Sequence, residues 1–129
     1  MKQVYSIEVC EPDEMANGQA GNYFPDEDGV IHIQVCRQKN EQYQFLITLH
    51  ELYEEIATRL NGIHERDITE FDKLSDAEGW EGEPAENPKS IYYKEHFQAD
   101  SLERLVAAFL GIDWRTYEKE IIYKTHNDK

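Results

Sequence analysis

The chain is poor in positive charge. Thirteen Lys and Arg stand against 27 Asp and Glu, a formal net charge of −14 at pH 7. Nucleic-acid backbones are gripped by clustered Lys and Arg, so nucleic acid is excluded as an expected partner. Cations and the basic surfaces of other proteins remain. Apolar runs are short as well. None approaches the ~20 residues a membrane-crossing helix needs, and no membrane span is expected. The segment MKQVYSIEVCEPDE lacks the apolar stretch of a secretory signal, so the expected compartment is the cytoplasm. With only Cys10 and Cys36, a disulfide framework is out of reach. Neither lies in a metal-binding spacing. Both read as buried thiols on neighbouring strands, where a disulfide under oxidising conditions is conceivable. There is no internal repeat and no low-complexity tract.

What is present suffices for one modest core. In 129 residues, 40% are hydrophobic and 12% aromatic, which argues against disorder and for one domain over 1–129, with its core at about 2–123. Residues 2–10, KQVYSIEVC, read as a strand. Residues 11–29 read as an acidic loop ending in the turn signal Asp28-Gly29. Residues 30–36, VIHIQVC, read as a second strand. Its Ile31, Ile33 and Val35 form an apolar face that needs a cover, and Val30, His32, Gln34 and Cys36 form the other.

The cover is the helix predicted from Glu41 to Asn61 and stopped by Gly62. Its stripe of Phe45, Leu49, Leu52, Ile56 and Leu60 is expected to face the core. A short helix over 65–72 should bury Ile68 and Phe71. Residues 73–92, rich in Gly, Pro and acids, read as a second long loop. A helix over about 93–110 carries the stripe Leu102, Leu105, Val106, Phe109 and Leu110. A last helix over about 114–123 starts at an Asp113 N-cap with an Ile112–Tyr117 staple, and buries Trp114, Tyr117 and Ile121. Residues 124–129 read as a polar tail. The expected class is α+β: a short N-terminal hairpin or small sheet packed on about four helices.

The chemistry sits in Leu49-His50-Glu51-Leu52-Tyr53-Glu54-Glu55. It contains H-E-x-x-E, a variant of the zinc-hydrolase motif H-E-x-x-H. Residues four apart share a helix face, so His50 and Glu54 can grip one ion, and Glu51 beside them is placed to act as general base. In an acidic protein such a spacing also arises on plainly solvated faces. Here His50 and Glu54 share their side with Tyr43, Ile47 and Ala57. That mixture predicts a helix packed on two sides with His50 and Glu54 partly buried, where a carboxylate needs a counter-charge, a hydrogen-bond partner or a metal.

In the third helix His96, then Ala99 or Asp100, then Glu103 stack along one face at the core edge. Small Ala99 and Ala107 would let another helix come close. His96 reads either as a boundary histidine bonded to an acid such as Glu103, or as a residue facing His50 and Glu54 across a helix pair. In the second case two histidines and two or three carboxylates make a nitrogen–oxygen metal site. Asp72 is a further candidate ligand or a helix-terminal acid. His64 reads as a cap or surface residue, His32 as a strand residue away from the purely apolar face, and His126 as part of the tail.

The strand VIHIQV followed by LHELYEE resembles the strand and active-site helix of the zincin metallopeptidases. The longer pattern resembles a family of small bacterial and phage proteins, most of them without an assigned activity. It is carried by HELYEEIATRLNGI, ITEFD and YYKEHFQADSLERLVAAFLGIDWRTYEK, over roughly residues 30–120. The most specific part is EH-x-x-A with ER and LGIDW. The resemblance implies a common fold and a common site of His50, Glu51, Glu54, Asp72, His96 and Glu103. Glu54 stands where a zincin has its second histidine, a loss that His96 can make good. Carboxylate in place of imidazole lowers the charge of the site and weakens the acidification of water there.

The resulting expectation is a metal-binding, zincin-like protein with metal-dependent hydrolysis as its activity class. His50, Glu54 and His96 are the ligands, Asp72 or Glu103 an additional or supporting one, and Glu51 the base. Zinc is the first choice of divalent metal, followed by iron, manganese or nickel. Ligand histidines must be neutral, so affinity should fall below about pH 6.5. The rival expectation is a non-enzymatic acidic protein that docks on a basic protein partner, its His and Glu residues forming a structural polar cluster.

Overall fold

The computed structural model describes residues 2–123. The tail 124–129, with His126, lies outside the described residues. Three strands, β1 (Tyr5–Cys10), β2 (Gly21–Pro25) and β3 (Ile31–Cys36), form a sheet in the order β1-β3-β2. The central β3 pairs parallel with β1, from Tyr5–Ile31 to Cys10–Cys36, and antiparallel with β2. Four helices follow: α1 (Glu41–Leu60), α2 (Glu65–Ala77), α3 (Tyr93–Phe109) and α4 (Trp114–Glu120). The class is α+β, a small sheet packed on four helices. Among the described residues no helix is long and apolar enough to cross a membrane.

The alternation of β3 works as its sequence predicts. Ile31, Ile33 and Val35 are buried and pack with Ile47 of α1. The hairpin into β3 is set by Asp26, whose carboxylate accepts the amides of Asp28 (2.8 Å) and Val30 (3.0 Å), while Gly29 takes φ +82°. Cys10 and Cys36 are register partners on neighbouring strands, both free.

The loop expected over 11–29 instead contains β2. Pro, Asn and Gly hide so short a strand from its sequence. It is tolerated because it pairs along one side only, where Pro25 ends it. The helix expected over 65–72 runs on to Ala77, with Glu78 as its cap and Gly79 at φ +81° just beyond. Ser75 is buried there and accepts a hydrogen bond from Asn87 (3.3 Å). The second loop is thus shorter than 73–92. It holds a 3-10 turn at Pro84–Glu86 and packs onto α2 through Ile68, Ala85 and Tyr92. Helix α4 stops at Glu120 rather than 123. Its Asp113 cap accepts the Thr116 amide at 3.0 Å. Gln38 fastens the chain beyond it, donating to the Ile122 carbonyl and accepting the Ile122 amide, each at 2.7 Å.

The largest departure is the facing of α1 and α3. The apolar stripes expected to be core are only partly covered: Phe45 is 48% exposed, Leu60 74%, Leu105 51% and Phe109 74%, while Leu52, Val106 and Leu110 pack at the edges of the core clusters. Buried instead are Tyr43, Leu46, Ile47, His50, Glu54 and Thr58 of α1, and Glu95, His96, Ala99, Glu103 and Ala107 of α3. The helices run antiparallel, with His50 bonded to Glu103, Glu54 to His96 and Asn61 to Glu95. Ala99 and Ala107 bring them close, and polar groups that satisfy one another can occupy the interior. Apolar packing resumes at one end, where Tyr43, Leu46, Ala107 and Tyr117 form a cluster flanked by Ile112 and Trp114. Urea denaturation should therefore separate two leucines of one helix. Leu46→Ala is expected to cost roughly 2–5 kcal/mol, as buried leucines do, and Leu60→Ala less than about 1 kcal/mol.

Candidate metal centre

One carboxylate joins both helices to the sheet. Oε2 of Glu54 lies 3.2 Å from His50 Nε2 and 3.0 Å from His96 Nδ1. Its other oxygen accepts the hydroxyl of Tyr23, on β2, at 3.0 Å. Position i+4 on α1 brings Glu54 under His50, and the approach of α3 brings His96 across. On its far side His50 donates from Nδ1 to Glu103 Oε1 at 2.8 Å, and Tyr117 donates to the second Glu103 oxygen at 2.5 Å. The two imidazoles meet edge to face, their centroids 4.9 Å apart.

The charges are strongly coupled. Burial opposes ionisation of Glu54, but hydrogen bonds from His50 and His96 outweigh it and bring its pKa down to about 2. Burial likewise works against the charge on His50, yet its bonds to Glu103 and Glu54 hold its pKa at about 12. The pKa of His96 is raised as well: burial opposes this, but the bond to Glu54 prevails. Glu51 is in the opposite position. Its Oε2 stands 3.9 Å from His50 Nε2. Burial and the nearby Glu54, Glu83 and Glu103 push its pKa up to about 8, although His50 pulls the other way.

Two cavities meet at Gly21, His50, Glu51 and Glu83, one of about 500 Å³ towards α2 and one of about 260 Å³ towards α4. Neither is lined by a Lys or an Arg. The counter-charge to these carboxylates comes from the protonated imidazole of His50, and a metal that displaced that proton would take over the role. The donor set of His50, Glu54 and His96, two nitrogens and one oxygen within 4.8 Å of one another, suits zinc. With bonds near 2.0–2.1 Å the edge of a zinc tetrahedron is about 3.3 Å, against the 3.2 and 3.0 Å found here. The donor types and these two edges are compatible with the ion, and Glu103 stands on the outer nitrogen of His50, where a ligand histidine would have its orienting carboxylate.

Of the residues singled out in the sequence, His50, Glu54 and His96 come together, Glu103 supports His50, and Glu51 borders both cavities. Asp72 does not join the ligand group. It lines the larger cavity from α2, held by the Tyr92 hydroxyl at 2.8 Å, with its pKa pushed up to about 6 by burial. His64 is the N-cap residue of α2. His32 lies between Glu8 (2.6 Å) and Asp26 (2.8 Å), away from the cluster. Sequence reasoning missed Tyr23, Glu83, Glu86 and Gly21. Tyr23 fell in the segment read as loop, and an acid in an acid-rich loop carries no distinguishing signal.

Compared with protein-family models, curated protein sequences and solved structures, the chain matches none. Its function has to be argued from the site.

Gly21 has a steric reason. A Cβ there would lie 2.5 Å from Glu51 Cγ and 2.6 Å from its Cδ, so the bare strand backbone makes room for that side chain. Gly21→Ala is expected to cost about 1–3 kcal/mol through overpacking. Most of that cost should disappear in a Glu51→Ala background, a coupling measurable by a double-mutant cycle in urea.

Proposed function

We propose that the protein binds one divalent metal ion, zinc first, through His50 Nε2, Glu54 and His96 Nδ1, and that it is a zincin-like metal-dependent hydrolase. The observation that carries this reading is the convergence of both imidazoles on one Glu54 oxygen, inside a cavity without Lys or Arg. A zinc ion in that position supplies Lewis acidity to a carbonyl or phosphoryl group. Glu103 and Tyr117 fix the ring of His50. Tyr23 holds Glu54 from the sheet side.

Glu51 is the general base. It faces the cavity beside the ligand cluster, and its raised pKa places it near neutrality, where a base takes up and returns a proton most readily. A cation beside it would favour its ionised form. Asp72, Tyr92 and Tyr23 give the larger cavity a polar wall suited to orienting a substrate.

The charge on His50 refines the expected pH dependence. A ligand imidazole must lose its proton, and His50 retains it to about pH 12 in the metal-free cluster. Metal binding therefore releases protons well above pH 6.5, and affinity should go on rising from pH 6.5 to 8 rather than level off.

The rival reading, a docking protein with a structural polar cluster, has support in the net charge of −14 and in the hydrogen bonds that already join His50, Glu54, His96 and Glu103. Elemental analysis of untagged protein purified without added metal separates the two. The proposal expects close to one or more equivalents of metal, loss of metal from the centre in His50→Ala and His96→Ala, and retained metal without hydrolysis in Glu51→Gln. Metal-free protein that takes up no zinc would contradict it.

A further inference from the structure

His96 has a second nitrogen that the centre above does not use. Its Nε2 is buried and has no hydrogen-bond partner, and the side chain is only 5% exposed. A buried imidazole nitrogen of this kind is rare unless something answers it. Two carboxylates stand opposite. Glu83 Oε2 lies 3.4 Å away and Glu86 Oε1 3.8 Å.

The backbone explains why both acids face the same way. Glu83 caps, and Glu86 ends, the 3-10 turn at Pro84–Glu86. Side chains three residues apart in a 3-10 turn eclipse one another, so the two carboxylates project together. The turn is held on α2 by buried Ala85 and by the Asn87–Ser75 hydrogen bond, and the Glu83 carbonyl accepts Trp80 Nε1 at 2.9 Å. No Lys or Arg lines the adjoining cavities to balance the pair.

We propose that His96 Nε2, Glu83 and Glu86 form a second divalent-cation site, one imidazole away from the first. The donor atoms lie within 4.8 Å of one another. One nitrogen and two carboxylate oxygens suit zinc, and suit manganese or ferrous iron better than an all-nitrogen set would. A cation there ties the 84–86 turn to α3 and closes one wall of the larger cavity. The site shares His96 with the first centre: filling both at once removes both ring protons and makes His96 a bridging imidazolate, while either site can fill alone, because each ring nitrogen faces its own group of acids.

Zinc uptake by the chelated full chain, measured by equilibrium dialysis with elemental analysis, tests this with the metal alone. Wild type should take up two equivalents, Glu83→Gln/Glu86→Gln one, and His50→Ala one. Both Glu83 and Glu86 are half exposed, so their double variant should fold. One equivalent in wild type that persists in Glu83→Gln/Glu86→Gln and vanishes in His50→Ala would overturn the second site and leave the first. One equivalent with the reverse pattern would support the second site and remove the first. No uptake would overturn both.

Discussion

The carboxylate of Glu54 is the interaction on which the interior depends. It is buried on α1, receives an imidazole from its own helix and another from α3, and is tied to the sheet through Tyr23. Helices α1 and α3 and strand β2 are joined through this one side chain, beside the apolar packing of Ile47 and Tyr23. Buried ion pairs gain little net stability, because desolvation offsets their attraction. They are, however, demanding in geometry. The demand sets how α3 lies on α1, with Ala99 and Ala107 providing the close approach.

The rest of the architecture follows from giving that space to polar groups. Phe45, Leu60, Leu105 and Phe109 remain on the outside because the facing sides of α1 and α3 hold histidines and carboxylates. The apolar clusters among the described residues lie in the sheet–α1 layer, at the Tyr43–Leu46–Tyr117 end and under the 84–86 turn. Glycine at position 21 lets the sheet edge come up against Glu51. Acids gather around the two imidazoles, no Lys or Arg lines the two cavities among the described residues, and the charge on His50 is what answers those acids.

Much of this was legible in the sequence, and the failures share a cause. The strand face of Ile31, Ile33 and Val35 and the Asp113 cap follow from local periodicity and spacing, which also set His50 with Glu54 and His96 with Glu103 on their helix faces but left the meeting of the two faces as one of two readings. Periodicity also favoured faces of α1 and α3 that turn out only partly buried, because an apolar stripe normally marks the core. The clue against it was the company of His50 and Glu54, with Tyr43 and Ile47 on their side. Strand β2 escaped notice because Gly21, Asn22 and Pro25 look like loop residues until β3 offers them an edge. Glu83 and Glu86 could not be told from solvated acids, since their importance comes from a tertiary approach to His96. Asp72 lay close in space to the cluster, but Tyr92 holds it on the far wall.

The central claim is that the two imidazoles are metal ligands held ready by acids. It is tested most directly by the ring-nitrogen resonances of ¹⁵N-labelled protein at pH 8, chelated and then with one equivalent of zinc. The account predicts that His50 is fully protonated in the chelated protein. On adding zinc, His50 Nε2 and His96 Nδ1 should move to the metal-bound range while His32 and His64 stay where they are. Rings of His50 and His96 that keep their protons and their shifts in the presence of zinc would contradict it.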